Sequence, residues 1–140
     1  MVIVVHELRS PVRVLIADDQ AHFREGLRFV LEESRSRIKV VGEATNGDEA
    51  IEQARLLVPD VALLAVRMPG TDGIRAAQAI TAAVPGIRIL MLTVSDSPED
   101  VALAAKAGAA GYLLKERSIE EVIDAVLSLA EGHPWPLAAG

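Results

Sequence analysis

Val12-Arg13-Val14-Leu15-Ile16-Ala17-Asp18-Asp19 is a short apolar run, rich in β-branched residues, that stops on two adjacent carboxylates. A run of this length, bounded by polar residues, reads as a strand buried on both faces. Directly after it Phe23, Leu27, Val30 and Leu31 recur at helical spacing, so the strand feeds a helix. The same unit returns downstream. Ile38 to Glu43 reads as a second strand, more exposed because polar residues alternate within it. Asn46 caps the next helix, with Glu49 at its third position and Ile51, Ala54 and Leu57 inward. Pro59 stops that helix, and Val61-Ala62-Leu63-Leu64-Ala65 is a third strand.

The second half keeps the rhythm. A helix from about Asp72 to Ala83 is broken by Pro85-Gly86, and Ile87 to Thr93 is the fourth strand. Ser97-Pro98-Glu99-Asp100 starts a helix with a capping hydroxyl, a proline at the first position and acids in the positive first turn. Gly108 ends it, and Ala110 to Leu114 is the fifth strand. Ser118 and Glu121 form a capping box for a last helix with Ile119, Val122, Ile123, Val126 and Leu127 on one stripe, closed by Gly132 and Pro134. Five β-then-α units predict an α/β fold: an open five-stranded parallel sheet with helices on both faces.

Composition agrees. The 140 residues include only four aromatics (Phe23, Phe29, Tyr112, Trp135), so the core must be aliphatic, as a parallel sheet requires. The absence of cysteine excludes disulfides, thiol catalysis and zinc-thiolate sites. A net charge of −6, negative in both halves, argues against nucleic-acid binding by this fragment. The longest apolar runs are too short for a bilayer, so no membrane association and a cytoplasmic location are expected. Residues 1–11 read as an N-terminal tail and 12–132 as one domain, with 133–140 following its last helix.

Open parallel sheets carry function at the carboxyl ends of their strands. The residues there are Asp18, Asp19, Ala65, Thr93 and Lys115. Singly each is ordinary: Asp19 as a helix cap, Thr93 as a β-branched strand end, Lys115 as a solvated lysine beside Glu116. Together they suggest a phosphoryl site. Paired aspartate oxygens are hard ligands suited to Mg²⁺, a lysine neutralises phosphoryl charge and a hydroxyl donates to it. Strand three should supply the nucleophile, and the residue there is Ala65.

The chain resembles the receiver domain of two-component response regulators, of the NarL/FixJ (LuxR-type output) group. The likeness runs from Val12 to about Gly132 and rests on Ile16-Ala17-Asp18-Asp19, Pro59-Asp60-Val61-Ala62-Leu63-Leu64 and Val66 to Gly73. Met91-Leu92-Thr93 and Gly108 to Lys115 complete it. The resemblance implies a flavodoxin-like (βα)5 fold with strand order 2-1-3-4-5. It implies Mg²⁺ held by Asp19, by Asp18 through water and by the Arg67 backbone carbonyl. Lys115 would pair with the acceptor or phosphoryl charge, Thr93 would swing toward the phosphoryl group, and Tyr112 would follow as a coupled rotamer switch. Arg67 and Ser95 lie where the family tunes self-dephosphorylation. A sensor histidine kinase is the implied partner, with weak homodimers, and residues 133–140 would start a linker to a C-terminal DNA-binding domain beyond this fragment.

Two positions depart from the family pattern. Lys115 is followed by Glu116 rather than proline, which removes a common cis-peptide candidate. Ala65 stands where the family carries its phospho-accepting aspartate, and a methyl group cannot form an acyl phosphate. The expectation is a receiver that cannot be phosphorylated, an engineered inactive-state variant of a domain whose only catalysis would be its own phosphorylation and dephosphorylation. The weakened site would bind Mg²⁺ poorly. The alternative is a natural pseudo-receiver serving as a phosphate-independent dimerisation or ligand-sensing module. A flavin-binding reading is weak, because no glycine-rich phosphate loop follows the first strand.

Overall fold

Successive side chains of a strand point to opposite faces, so a strand apolar at every position must be covered on both. A computed structural model, which describes residues 10–33, 38–133 and 135, shows that arrangement. The elements alternate without exception: β1 (Val12–Ala17), α1 (Ala21–Glu33), β2 (Ile38–Ala44), α2 (Gly47–Leu57), β3 (Val61–Leu64), α3 (Gly73–Ala83), β4 (Arg88–Thr93), α4 (Pro98–Lys106), β5 (Gly111–Leu114) and α5 (Ile119–Ala130). All four strand pairings are parallel, in the order β2-β1-β3-β4-β5. The order reverses between β1 and β3, which opens a crevice at the carboxyl end of the sheet. The N-terminal tail expected over 1–11 lies almost wholly outside the described residues.

Two apolar layers result. Leu15, Ala62, Leu64, Ile89 and Met91 face α2, α3 and α4, where Ala54, Ala76, Ala77, Ile80 and Ala104 meet them. Val14, Ile16, Leu63, Leu90 and Leu92 face α1 and α5 through Leu27, Leu31, Val122, Ala125, Val126 and Leu129. The expected inner stripes need correction at their margins. Val30 turns out to solvent, and Ile51 and Leu57 are only half-buried, because Ala50 and Ala54 let α2 sit close to the sheet.

Helix starts follow the capping chemistry. Asn46, Asp72, Ser97 and Ser118 each accept a hydrogen bond from the backbone N–H three residues on. β3 ends one residue earlier than expected, at Leu64, but the Ala65 N–H still donates to the Ala17 carbonyl at 3.0 Å. The ladder between β1 and β3 therefore continues to the position that matters. The loop beyond is drawn tight at its neck. The Gly73 N–H donates to Val66 O at 2.7 Å, and a Cβ at Gly73 would lie 1.8 Å from the Ala65 carbonyl oxygen, so only glycine fits there. Its tip is tied to α2 by the Thr71 hydroxyl donating to Asp48 Oδ1 at 2.7 Å.

Candidate functional site at the carboxyl end of the sheet

Asp18 and Asp19 follow β1, Ala65 follows β3, Thr93 ends β4 and Lys115 follows β5. Because β1, β3, β4 and β5 are neighbours, these residues meet around one open cleft of about 310 Å³, lined by Asp19, Gln20, Ala65, Arg67, Thr93, Val94 and Lys115 among others. Ala65 is only 4% exposed and offers the cleft nothing but its methyl group.

The charges inside are arranged with care. Lys115 Nζ lies 2.6 Å from Asp18 Oδ2 and donates to Gln20 Oε1 at 2.9 Å. The ammonium also stands 4.2 Å from the centre of the Phe23 ring. Asp18 Oδ1 accepts from the Gln20 N–H at 2.9 Å. Both side chains of the pair are almost out of solvent, where an unpartnered charge would be costly, and each is fully engaged. Thr93, also buried, accepts from the Val66 N–H at 3.2 Å through its hydroxyl oxygen.

One strand further, Tyr112 is buried and donates its hydroxyl to Ser95 O at 2.8 Å. Burial pushes the phenol up; the Ser95 hydrogen bond opposes this, and the Asp100 and Asp96 charges add to it. Ser95 donates its own hydroxyl to Asp100 Oδ2, which lies 3.6 Å from Arg67 Nη2. Arg67, Asp100, Ser95 and Tyr112 thus form a chain from the cleft rim through the first turn of α4 to β5.

Residues 14–127 match the family pattern of the response regulator receiver domain. The chain belongs to that family. The receiver is 43% identical over 125 residues to the uncharacterized transcriptional regulatory protein YxjL of Bacillus subtilis, covering 89% of this chain and 57% of that protein. It is 44% identical over 122 residues to the transcriptional regulatory protein NarL of Mycobacterium tuberculosis, covering 87% and 56%. The receiver therefore spans little more than half the length of these curated relatives. Among solved structures, the signal receiver domain of Mycobacterium tuberculosis NarL superimposes with a TM-score of 0.85 at 42% identity, over 89% of this chain and all of that one.

The structure brings together Asp18, Asp19, Ala65, Arg67, Thr93 and Lys115. Ser95 stands apart: it is turned toward Asp100 and Tyr112 and is not among the residues lining the cleft. Lys115 reaches the cleft, and as a side chain largely out of solvent it is not the solvated lysine beside Glu116. With a methyl at 65, Asp18 is the carboxylate within reach, and the lysine takes it.

That choice bears on the metal. Among the described residues no group of three acidic or histidine side chains converges, and one of the two available carboxylates is already bound to a lysine. The residues present fit a resident Mg²⁺ poorly, since a hard cation gains little from a site of this kind while dehydrating.

Three contacts lie beyond what the sequence pattern revealed. Phe23 packs against the α1/α5 layer as its spacing indicates, and its ring also faces the lysine. Gln20 had no signal beyond its place after the acidic pair. Arg24 donates to the Asp18 carbonyl at 2.7 Å and to Glu43 Oε1 at 2.9 Å, so it fixes the main chain that carries both aspartates. Its helical position beside that turn was the one available clue.

Proposed function

We propose that this chain is the receiver domain of a NarL/FixJ-type transcription regulator in a two-component phosphorelay, held in its unphosphorylated state by Ala65. The single observation that carries the reading is the position of Ala65. It lines the same cleft as Asp19, Arg67, Thr93 and Lys115, the residue types a phosphoryl site would draw on. The intact protein would reside in the cytoplasm, receive its phosphoryl group from a sensor histidine kinase and act on DNA through a further domain. This portion would not bind DNA itself, and beyond its own phosphorylation and dephosphorylation it would not be an enzyme.

In this reading Asp18, Asp19 and the Arg67 carbonyl hold Mg²⁺ once a third carboxylate stands at position 65. Thr93 and Tyr112 register the phosphoryl group, and Arg67 and Ser95 tune its loss. As the chain stands, Mg²⁺ would bind weakly, because it would have to compete with Lys115 for Asp18. Magnesium supplies charge neutralisation when bound. The protein's own part is to aim the Lys115 ammonium and the Thr93 hydroxyl into the cleft.

One observation favours a second reading, a natural receiver that works without phosphate. Lys115 has a complete set of partners in Asp18, Gln20 and Phe23, and no buried side-chain polar atom among the described residues is left unpaired. The site is self-consistent with alanine at 65, whether that residue was engineered or inherited.

Acetyl phosphate with Mg²⁺, read by intact mass, separates the two. The chain as it stands should gain no phosphoryl group, because position 65 carries only a methyl and the part given to Asp18 and Asp19 is to hold the metal rather than attack in line. Ala65→Asp should gain one, labile to alkali, and Lys115→Ala in that background should reduce the gain. An Ala65→Asp protein that folds and stays unlabelled would overturn the phosphorelay reading in favour of the second.

A further inference from the structure

The end of α5 carries a reversal whose purpose lies outside the cleft. Glu131 caps the helix, Gly132 follows at φ +84°, and two hydrogen bonds close the turn: Gly132 N–H to Leu129 O at 2.9 Å and His133 N–H to Ser128 O at 2.9 Å. This pairing satisfies the last carbonyls of the helix and turns the chain back along it, and the left-handed conformation is one glycine adopts without strain. The returning chain brings Trp135 onto the α1/α5 side of the sheet, where it is half-buried against the apolar layer.

The indole settles where β5 begins. Gly111 is the first residue of that strand, paired with Leu90 of β4, and it leaves a notch in the layer. A Cβ built on Gly111 would come within 2.9 Å of Leu90 Cδ1, 3.4 Å of Trp135 Cβ and 3.6 Å of Trp135 Cδ1. Here glycine makes room for a large side chain. Among the described residues β5 is also an edge strand with β4 as its only strand neighbour, and it carries Tyr112 next in sequence to Gly111 and Lys115 just past its far end.

We propose that the notch left by Gly111 at the foot of β5 is a docking site for the segment following α5, filled by the Trp135 indole, so that β5 links the cleft to the path the chain takes away from the domain. Residues 133–140, which the resemblance makes the start of a linker to a C-terminal DNA-binding domain, carry at their third position the indole that meets the notch. The docking stands on the geometry alone, whereas the link to the cleft rests on the receiver chemistry proposed above.

Trp135 is the sole tryptophan, so its fluorescence reports the notch directly. Acrylamide should quench the unmodified chain several-fold less than it quenches N-acetyltryptophanamide, independently of protein concentration. Gly111→Val fills the notch, and Gly132→Val opposes the reversal without touching it. Each variant that retains the wild-type circular dichroism should at least double the quenching constant. An indole quenched as readily as the free compound in the unmodified chain overturns the docking, as does shielding that appears only at high concentration, which would mean a second copy covers it. Folded variants with unchanged quenching overturn it equally. For the link, Ala65→Asp treated with Mg²⁺ and acetyl phosphate should change its emission in step with its gain in mass. Labelling with a silent indole overturns the link, whereas no labelling counts against the receiver chemistry and the link together and leaves the quenching result standing.

Discussion

Val58 shows how much a single residue can be asked to bear. It closes α2 at φ 46°, ψ 63°, the only non-glycine residue at positive φ among those described, and it is β-branched and half exposed. A side chain of that shape in the left-handed region costs roughly 1–2 kcal/mol. Its N–H donates to Ala54 O, and its carbonyl accepts from Arg13 Nη1 at 2.9 Å, so the turn is held from outside. Val58→Asn should keep both backbone bonds and relieve the strain, stabilising the domain by about 1 kcal/mol in urea unfolding. A loss of stability would mean that the valine side chain is needed for packing. Pro59 was the visible sign that the helix stops here; the strain itself depends on φ, which no residue name announces. Ala65 shows the converse. Its place in the cleft followed from counting strands, because a position directly after a buried strand of an open parallel sheet is fixed by topology.

At the scale of elements, α1 and β2 are joined by charge as well as by apolar contact. Glu43 on β2 meets Arg28 Nη1 at 2.6 Å and Arg24 Nε at 2.9 Å, and Arg28 also meets Glu32 on its own helix at 3.3 Å. Burial alone would raise the Glu43 carboxyl, but the hydrogen bonds from Arg28 and Arg24 outweigh it and hold the group below its ordinary value of 4.5. A depressed carboxylate contributes stability above its unfolded pKa, and that contribution is lost as pH falls through the folded pKa. Glu43→Gln should therefore cost about 1 kcal/mol at neutral pH and much less once the pH lies well below 4.5. Thermal melts across that range check the sign, and an equal loss at every pH would point to packing. None of this network was apparent from periodicity. Arg24 and Arg28 lie four apart on α1, the first largely buried and the second exposed, and only the pairing of β2 with β1 brings Glu43 to them. The helix starts were far more legible, since Asn46, Asp72, Ser97 and Ser118 act within three residues of themselves. Contacts that close over long separations, such as Lys115 with Asp18 or Trp135 with Gly111, needed the assembled sheet.

For the whole molecule, the balance of apolar surface and charge sets how far copies associate. No described helix is long and apolar enough to cross a membrane, and the large exposed apolar side chains are scattered. Phe29 is on α1, Leu56 on α2 on the opposite face of the sheet, and Val94 at the rim of the cleft. Among the described residues these side chains, with Val30, Val58 and Leu103, are distributed over α1, the end of α2, the cleft rim and α4, whereas a stable interface buries about 800 Å² per partner in one patch. Each copy also carries a net charge of −6, and with a Debye length of about 10 Å at 0.1 M salt, facing surfaces repel at lower ionic strength. Sedimentation should therefore find a monomer, or a dimer with a dissociation constant above about 10 μM, tightening as salt is raised. A tight dimer at low salt would require an interface strong enough to overcome that repulsion without a phosphoryl group. It would move the balance toward the second reading, a receiver that signals by pairing without phosphate.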